Sequence, residues 1–376
     1  MTAIESPETV GIKPFAVFEE ANRLWPRGRR PAAIREAAAT FRERFARPDN
    51  VVHAVRTIDL ASAAYPVKFA FGGAVPAVNP YLNIVNRLIV VQYHDFEGRL
   101  RTFLWEPTVA EGPAEAPYYA QLIERFGEFV AYKVIARQWH TVPSALASVG
   151  LSGTDVDFFS FDHLHVQDPR LVLGTRDPID GETVPRPQLL GDAKMLAQRR
   201  EVDTFESLHP MQWAWYVEQG MQDVIDENVV LLDGDVELGK GIAVVSTPGH
   251  TDGNQSLVIN TPDGVWVSSE NGVAADNWHP NLSKIPGVRR FAEFFNREVV
   301  LNSNTLEDSI DQYDSMLKER ALADVHAEDP RWLNILPSSE LPNWRRQWPV
   351  LPTFHYGGIN CGTIETRGSG NGHVTA

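Results

Sequence analysis

The chain is short of cysteine, of basic residues and of long apolar runs. Cys361 is the single cysteine in 376 residues, so an internal disulfide is excluded. Lysine and arginine number 34 against 49 aspartates and glutamates, a formal net charge of −15. That balance argues against a nucleic-acid partner, which wants a basic face, and against docking on an anionic membrane. No apolar run approaches the roughly 20 residues that span a bilayer. The opening MTAIESPETVG has neither a basic start nor an apolar core, so no secretory signal is expected, and a cytoplasmic location is. What remains is ordinary for a globular protein: 43% hydrophobic and 22% charged residues, in a chain long enough to bury a large core.

The chain reads unevenly along its length. PAAIREAAATFRERFA is alanine-rich and charged, with Pro31 at a first-turn position, and predicts a helix. Short β-rich runs follow: VVHAVRTI, VKFAF, LIVVQYH and LRTFLW, with Gly, Pro and Asn between them. PYYAQLIERFGEFVAY and PSALASVGL read as helices, residues 169–190 as loop, and residues 191–226 as mostly helical. NVVLLDGDVELGKGIAVVSTP reads as strand, Asp-Gly turn, strand, and SLVINTPDGVWVSSE repeats the pattern around Pro262-Asp263-Gly264. Residues 305–320 read as helix, WLNILP as a last strand, and GSGNGHVTA as a disordered tail. The expected division is residues 1–60 as an N-terminal helical extension, 61–350 as the main domain and 351–376 as a C-terminal segment with that tail.

Two strings carry the chemistry. In FFSFDHLHVQD, an apolar run from Val156 to Phe161 reads as a buried strand, and His163 and His165 stand where it ends. In VVSTPGHTDGNQSLVI, a second strand turns through Pro248 and Gly249 into His250. Three imidazoles at strand ends are a reasonable start for a metal site, because borderline metals favour neutral imidazole and need rigid donors.

With those strings in place, LASVGLSGTDVDFFSFDHLHVQD resembles the helix, strand and T-H-x-H-x-D-H block of the metallo-β-lactamase superfamily. VELGKGIAVVSTPGHTDGNQSLVI is similar to the block that supplies its third histidine. GVWVSSENGV is similar to the strand that normally ends in a bridging aspartate, and ILPSSEL to the last block, normally Leu-Pro-Gly-His. The resemblance covers residues 67–340 or so and implies an α/β, four-layer αββα sandwich. It places His163, His165 and His250 on the ligands of the first metal.

The departures fall on the second metal. The motif aspartate corresponds to Gln167, the following histidine to Asp168, the bridging aspartate to Glu270 and the final histidine to Ser339. Glutamine is a weak neutral donor and serine no ordinary ligand. A mononuclear centre, or a carboxylate-rich dinuclear one using Asp168 and Glu270, is therefore expected. Asp168 has the competing use of capping the following turn, and Asp162 that of orienting His163 from behind. His279, His326 and His355 are the later histidines that remain as replacements for the missing one. Trp332, Trp344 and Trp348 read first as core, with an aromatic substrate wall as the other use.

A three-histidine metal with an open position supplies a hydroxide nucleophile and polarises a carbonyl. The leading expectation is a hydrolase of a small-molecule ester, lactone or amide, with a divalent ion, zinc first and iron or manganese next, and Asp168 or Glu270 as the proton-handling carboxylate. Iron-dependent redox chemistry is the alternative that a carboxylate-rich site would favour, and a non-catalytic ligand-binding relative is the third. A small-molecule partner is expected, neither nucleic acid nor membrane, and self-association is left open.

Overall fold

The computed structural model describes residues 6–76, 79–127, 137–179, 181–303 and 308–366. In chain order the first strands are β1 (Lys13–Phe15), β2 (Ala54–Pro66), β3 (Tyr81–His94), β4 (Leu100–Trp105) and β5 (Arg137–Gln138). Then come β6 (Phe158–Ser160), β7 (Lys194–Gln198), β8 (Val229–Leu232), β9 (Asp235–Gly239) and β10 (Ile242–Ser246). The last are β11 (Gln255–Thr261), β12 (Gly264–Ser269), β13 (Ile335–Pro337), β14 (Ser339–Glu340) and β15 (Asn360–Cys361). One sheet runs β15-β2-β3-β4-β6-β7-β8, with β5 beside β2 and β14 beside β3. The other runs β1-β9-β10-β11-β12-β13.

Period-two alternation sorts the apolar side chains into layers. On β3, Ile89 and Val91 join the cluster between the sheets, while Leu88 and Val90 face outward. On β10, Ile242 and Val244 point between the sheets, and Ala243 and Val245 point the other way. The helix Val142–Ser148 covers the outer face of the larger sheet through Val142, Ala145 and Leu146. The helices Arg30–Phe45 and Ser309–Leu322 cover the smaller one through Ala38, Phe41, Met316 and Leu317. Helix, sheet, sheet, helix is the four-layer αββα arrangement that the resemblance implied.

Several local expectations change. VKFAF is not a strand: β2 runs on to Pro66, and Val67–Ala70 make one helical turn. Its Val67, Ala70 and Phe71 are drawn into an apolar cluster with Ile285 and Val300, and that contact overrides β propensity. Residues 191–226 are mostly not helical; KMLAQ is β7, parallel to β6, and only Arg199–Asp203 form an α-helix. The Asp233-Gly234 turn closes no hairpin, because β8 and β9 belong to different sheets. The Pro262-Asp263-Gly264 turn does close one, with Thr261 opposite Gly264. The tail GSGNGHVTA and the EFVAY that ends the second predicted helix lie outside the described residues.

The boundary drawn at residue 60 falls inside β2, and the first 60 residues do not stand apart. Lys13–Phe15 pair with β9 as the edge of the smaller sheet, and Arg30–Phe45 form part of its helical layer. At the other end, Asn360 and Cys361 pair with β2.

One buried carboxylate organises the outer face of the smaller sheet. Glu319 accepts from Ser256 Oγ (2.9 Å), Ser269 Oγ (2.7 Å), Asn271 Nδ2 (2.7 Å) and Trp278 Nε1 (2.7 Å). Burial raises its pKa, and the four donors work against that shift. We expect Glu319→Ala to lower the unfolding free energy by about 3 kcal/mol or more in urea titrations, because the donors lose their acceptor inside the protein. A loss within about 0.5 kcal/mol, the range of an ordinary surface change, would contradict this role.

Candidate metal centre

Parallel strands deliver their last residues to one edge of a sheet. β4 and β6 are parallel neighbours, so Glu106 after β4 and Asp162, His163 and His165 after β6 arrive at the same edge. β10 and β12 of the facing sheet bring His250 and Glu270 to it. The three imidazoles each offer a nitrogen within 4.8 Å of the others, and all three rings are buried. A tetrahedral ion about 2.05 Å from each nitrogen would set them about 3.3 Å apart, a spacing inside that bound.

Neighbours orient the rings. Asp162 Oδ1 accepts from His163 N (2.8 Å) and meets His163 Nδ1 at 2.5 Å. His250 Nδ1 lies 3.0 Å from the Asn302 carbonyl oxygen. Each contact places the ring proton on Nδ1 and leaves Nε2 as the donor, the usual carboxylate or carbonyl support of a metal-binding histidine. Burial, and then the charge of His163, lowers His250 to about 3. Burial, with His163 and His250 beside it, carries His165 well below its ordinary value. Neutral imidazole is the ligating form, so the donors fit a borderline divalent ion.

Glu201 clamps the two ligand loops together. Its Oε1 accepts from Leu164 N (2.7 Å) and Tyr216 Oη (2.8 Å), and its Oε2 from Thr251 Oγ1 (2.6 Å). A Cβ added at Gly253 would lie 2.4 Å from the Glu201 backbone nitrogen, so only glycine lets the loop approach.

The histidines lie in a cavity of about 1870 Å³ that is also lined by Glu106, Asp162, Gln167, Glu270 and Ser339. Glu270 Oε2 accepts from Ser339 N at 2.8 Å. Burial, and then the Asp162 charge, holds the Glu270 carboxyl well above its ordinary value. Glu106 Oε1 accepts from Asp162 N at 2.6 Å, and burial with the Asp162 charge raises it in the same way. Burial alone would raise Asp162, but the His163 ring pulls it below the usual carboxylate value. Two non-glycine residues here adopt left-handed backbone, Glu106 (φ 59°) and Val166 (φ 56°), which costs energy and often marks a functional site.

Asp168 does not belong to this group. Its Oδ1 accepts from Arg170 N (3.1 Å) and Nε (2.8 Å), and its Oδ2 from Arg170 Nη2 (3.0 Å) and Arg186 Nη1 (3.1 Å). The carboxylate caps a turn and is neutralised by two guanidiniums, so its expected place as ligand and catalytic acid is corrected. The replacement histidines are also elsewhere. His279 packs edge-on against Trp332, His326 against Trp266, Phe354 and Tyr356, and His355 Nε2 meets Glu340 Oε2 at 3.2 Å. Gln167 and Ser339 reach the cavity, with Gln167 Nε2 donating to Thr108 Oγ1 at 2.9 Å. Of the tryptophans, Trp332 is core, Trp344 lines the cavity and Trp348 is exposed. Glu106, Glu201 and Asn302 went unnoticed in the sequence; only Glu106 carries a signal, an acid directly after a strand.

Fold and site together define a class: a four-layer, two-sheet α/β protein with a trihistidine cluster at its strand ends. No protein-family model matches the chain. Among similar solved structures is a probable metal-dependent hydrolase from Staphylococcus aureus, 14% identical, covering 72% of this chain and 84% of that one at a TM-score of 0.48. A dizinc quorum-quenching lactonase in complex with a product is 12% identical, covering 85% and 100%, at 0.45. An N-acyl homoserine lactone hydrolase with N-hexanoyl-L-homoserine at its catalytic metal centre is 17% identical, covering 65% and 90%, at 0.41. Likeness at this level carries no functional argument by itself, and the chemistry rests on the site's own geometry.

Two predictions follow from the placement of these residues. Asp168→Asn should cost about 3 kcal/mol or more of stability by breaking a buried ion pair, yet leave bound metal per chain unchanged. Loss of metal with stability intact would return Asp168 to the ligand set. His279, lowered to about 3 by burial and the charge of Arg320, stays neutral in the folded chain while the unfolded chain takes up a proton near pH 6.5. The unfolded state then binds more protons, so this group costs stability as pH falls from about 6.5 towards 3. His279→Gln should flatten the pH dependence of unfolding in that window and keep full metal; an unchanged slope would contradict it.

Proposed function

We propose that the protein is a metal-dependent hydrolase of a small-molecule ester, lactone or amide. The observation that carries this reading is the convergence of three buried imidazoles with Glu270 on one large cavity. A divalent ion bound there, zinc by the chemistry of the donors, would supply Lewis acidity toward a carbonyl oxygen and toward a water molecule.

The chain's own residues supply the rest. His163, His165 and His250 would hold the ion, and Asp162 and the Asn302 carbonyl fix two of the rings. Glu270 is anchored by Ser339 N–H and receives the proton that the nucleophilic water gives up, then returns it to the leaving group. Gln167 and Ser339 are neutral and add no charged donor, which supports a mononuclear centre.

Glu270→Gln keeps the size and removes the proton-accepting oxygen. Assayed on a panel of aryl esters and lactones, it should lower kcat about 10²-fold or more while zinc content stays at the wild-type value. Wild-type turnover with full zinc would remove Glu270 from this role. Absence of any hydrolysis by the zinc-loaded wild type across the panel would overturn the reading itself.

A further inference from the structure

The cavity that ends on the histidines has a basic rim. Arg137 lies on the edge strand β5, opposite Ser62 of β2, and Arg345 and Arg346 follow β14; all three line the cavity. The Arg137 guanidinium sits over the Trp139 ring, 5.4 Å from its centroid, and that of Arg346 over Trp344 at 4.6 Å. The two indoles meet edge to face at 6.1 Å. Cation, indole, indole and cation thus form one stack joining two chain segments, and the stack fixes both charges in place.

No ion pair joins these three arginines to an acid among the described residues. All three are exposed, whereas deeper arginines such as Arg170 and Arg186 are matched with Asp168, and Arg101 with Asp95 and Asp157. On a chain of net charge −15, an unmatched basic rim concentrates positive potential at this opening. Of the acids that line the cavity, Glu106, Asp162 and Glu270 are tied into the histidine end, and Glu111 is exposed on the loop after β4. Apolar side chains, with Leu60, Leu82, Ile84, Leu122 and Ile123 among them, line the same cavity. Arg345 is six residues beyond Ser339, which holds Glu270, so rim and reaction centre are at most about 20 Å apart along the chain.

We propose that the substrate is an anionic amphiphile: an ester or lactone whose apolar chain lies against the aliphatic wall and whose distal carboxylate is held by Arg137, Arg345 and Arg346. Guanidinium forks match a carboxylate in geometry as well as in charge. The proposal rests on the hydrolase reading and narrows it. In the reaction, water oxygen bonds to the acyl carbon, the acyl C–O bond breaks, and the proton moves to the departing alkoxide to give an acid and an alcohol.

The test compares monomethyl suberate, which keeps one free carboxylate, with dimethyl suberate, which has none, on zinc-loaded protein. The expected result is that kcat/KM favours the monoester about tenfold or more, and that the triple variant Arg137→Gln, Arg345→Gln, Arg346→Gln abolishes the preference by raising KM for the monoester. Octanoate and octanamide binding, read by calorimetry on the same two proteins, checks recognition without turnover. Octanoate should bind about tenfold more weakly to the variant, and octanamide equally to both. Hydrolysis of both esters with no preference, or a preference that the variant retains, overturns the proposal and leaves the hydrolase reading standing. Rim-dependent octanoate binding with no hydrolysis of either suberate, or of the aryl ester and lactone panel, overturns the hydrolase reading and leaves the anion site.

Discussion

The candidate centre depends on one carboxylate that supplies no ligand. His163 and His165 come from a strand of one sheet and His250 from a strand of the other. Twisted sheets packed face to face do not by themselves hold two strand ends in register to a fraction of an ångström. Glu201 does this by taking the Leu164 N–H and Tyr216 hydroxyl from one side and the Thr251 hydroxyl from the other. Its burial among three donors makes each bond strong and its loss costly. The bare backbone at Gly253 is the steric counterpart of the same contact. The metal-binding geometry is thereby a property of the sheet-to-sheet junction, and less of either loop alone.

Charge balance then separates two kinds of buried acid. Around the histidines, Glu106, Asp162 and Glu270 share a small volume with three imidazoles, and two of the three carboxyls are pushed well up, first by burial and then by the Asp162 charge nearby. Such a group is short of positive charge, and a dication supplies it. Asp168, a few residues along the same loop, is already balanced by Arg170 and Arg186. A carboxylate with two guanidiniums on it has no oxygen to spare. The same loop therefore holds a centre suited to a cation and, next to it, one that is closed to it.

Much of this was legible in the sequence, for identifiable reasons. Strand-end histidines announce themselves because apolar runs of period two stop at turn residues, and the resemblance set their order. The four layers followed from the same resemblance. Asp168 was misread because ligand spacing alone does not show where arginine side chains fold back, although Arg170 stands two positions on. VKFAF failed because a tertiary apolar cluster outweighed β propensity, and the Asp-Gly pair at residue 233 failed because turn chemistry does not say whether its strands share a sheet. Glu201 and Asn302 carry no local signal at all: their roles exist only once distant segments meet. The left-handed backbone at Val166 is equally silent, since a β-branched residue is the last one a sequence would place there.

The account stands or falls on a single ion held by three imidazoles. X-ray absorption spectroscopy on the zinc-loaded protein tests this directly. The account predicts one zinc per chain, a shell containing three imidazole nitrogens at about 2.0–2.1 Å, and no metal–metal scattering. A metal–metal vector of about 3.5–4 Å, or a shell with fewer than three imidazoles, would contradict it.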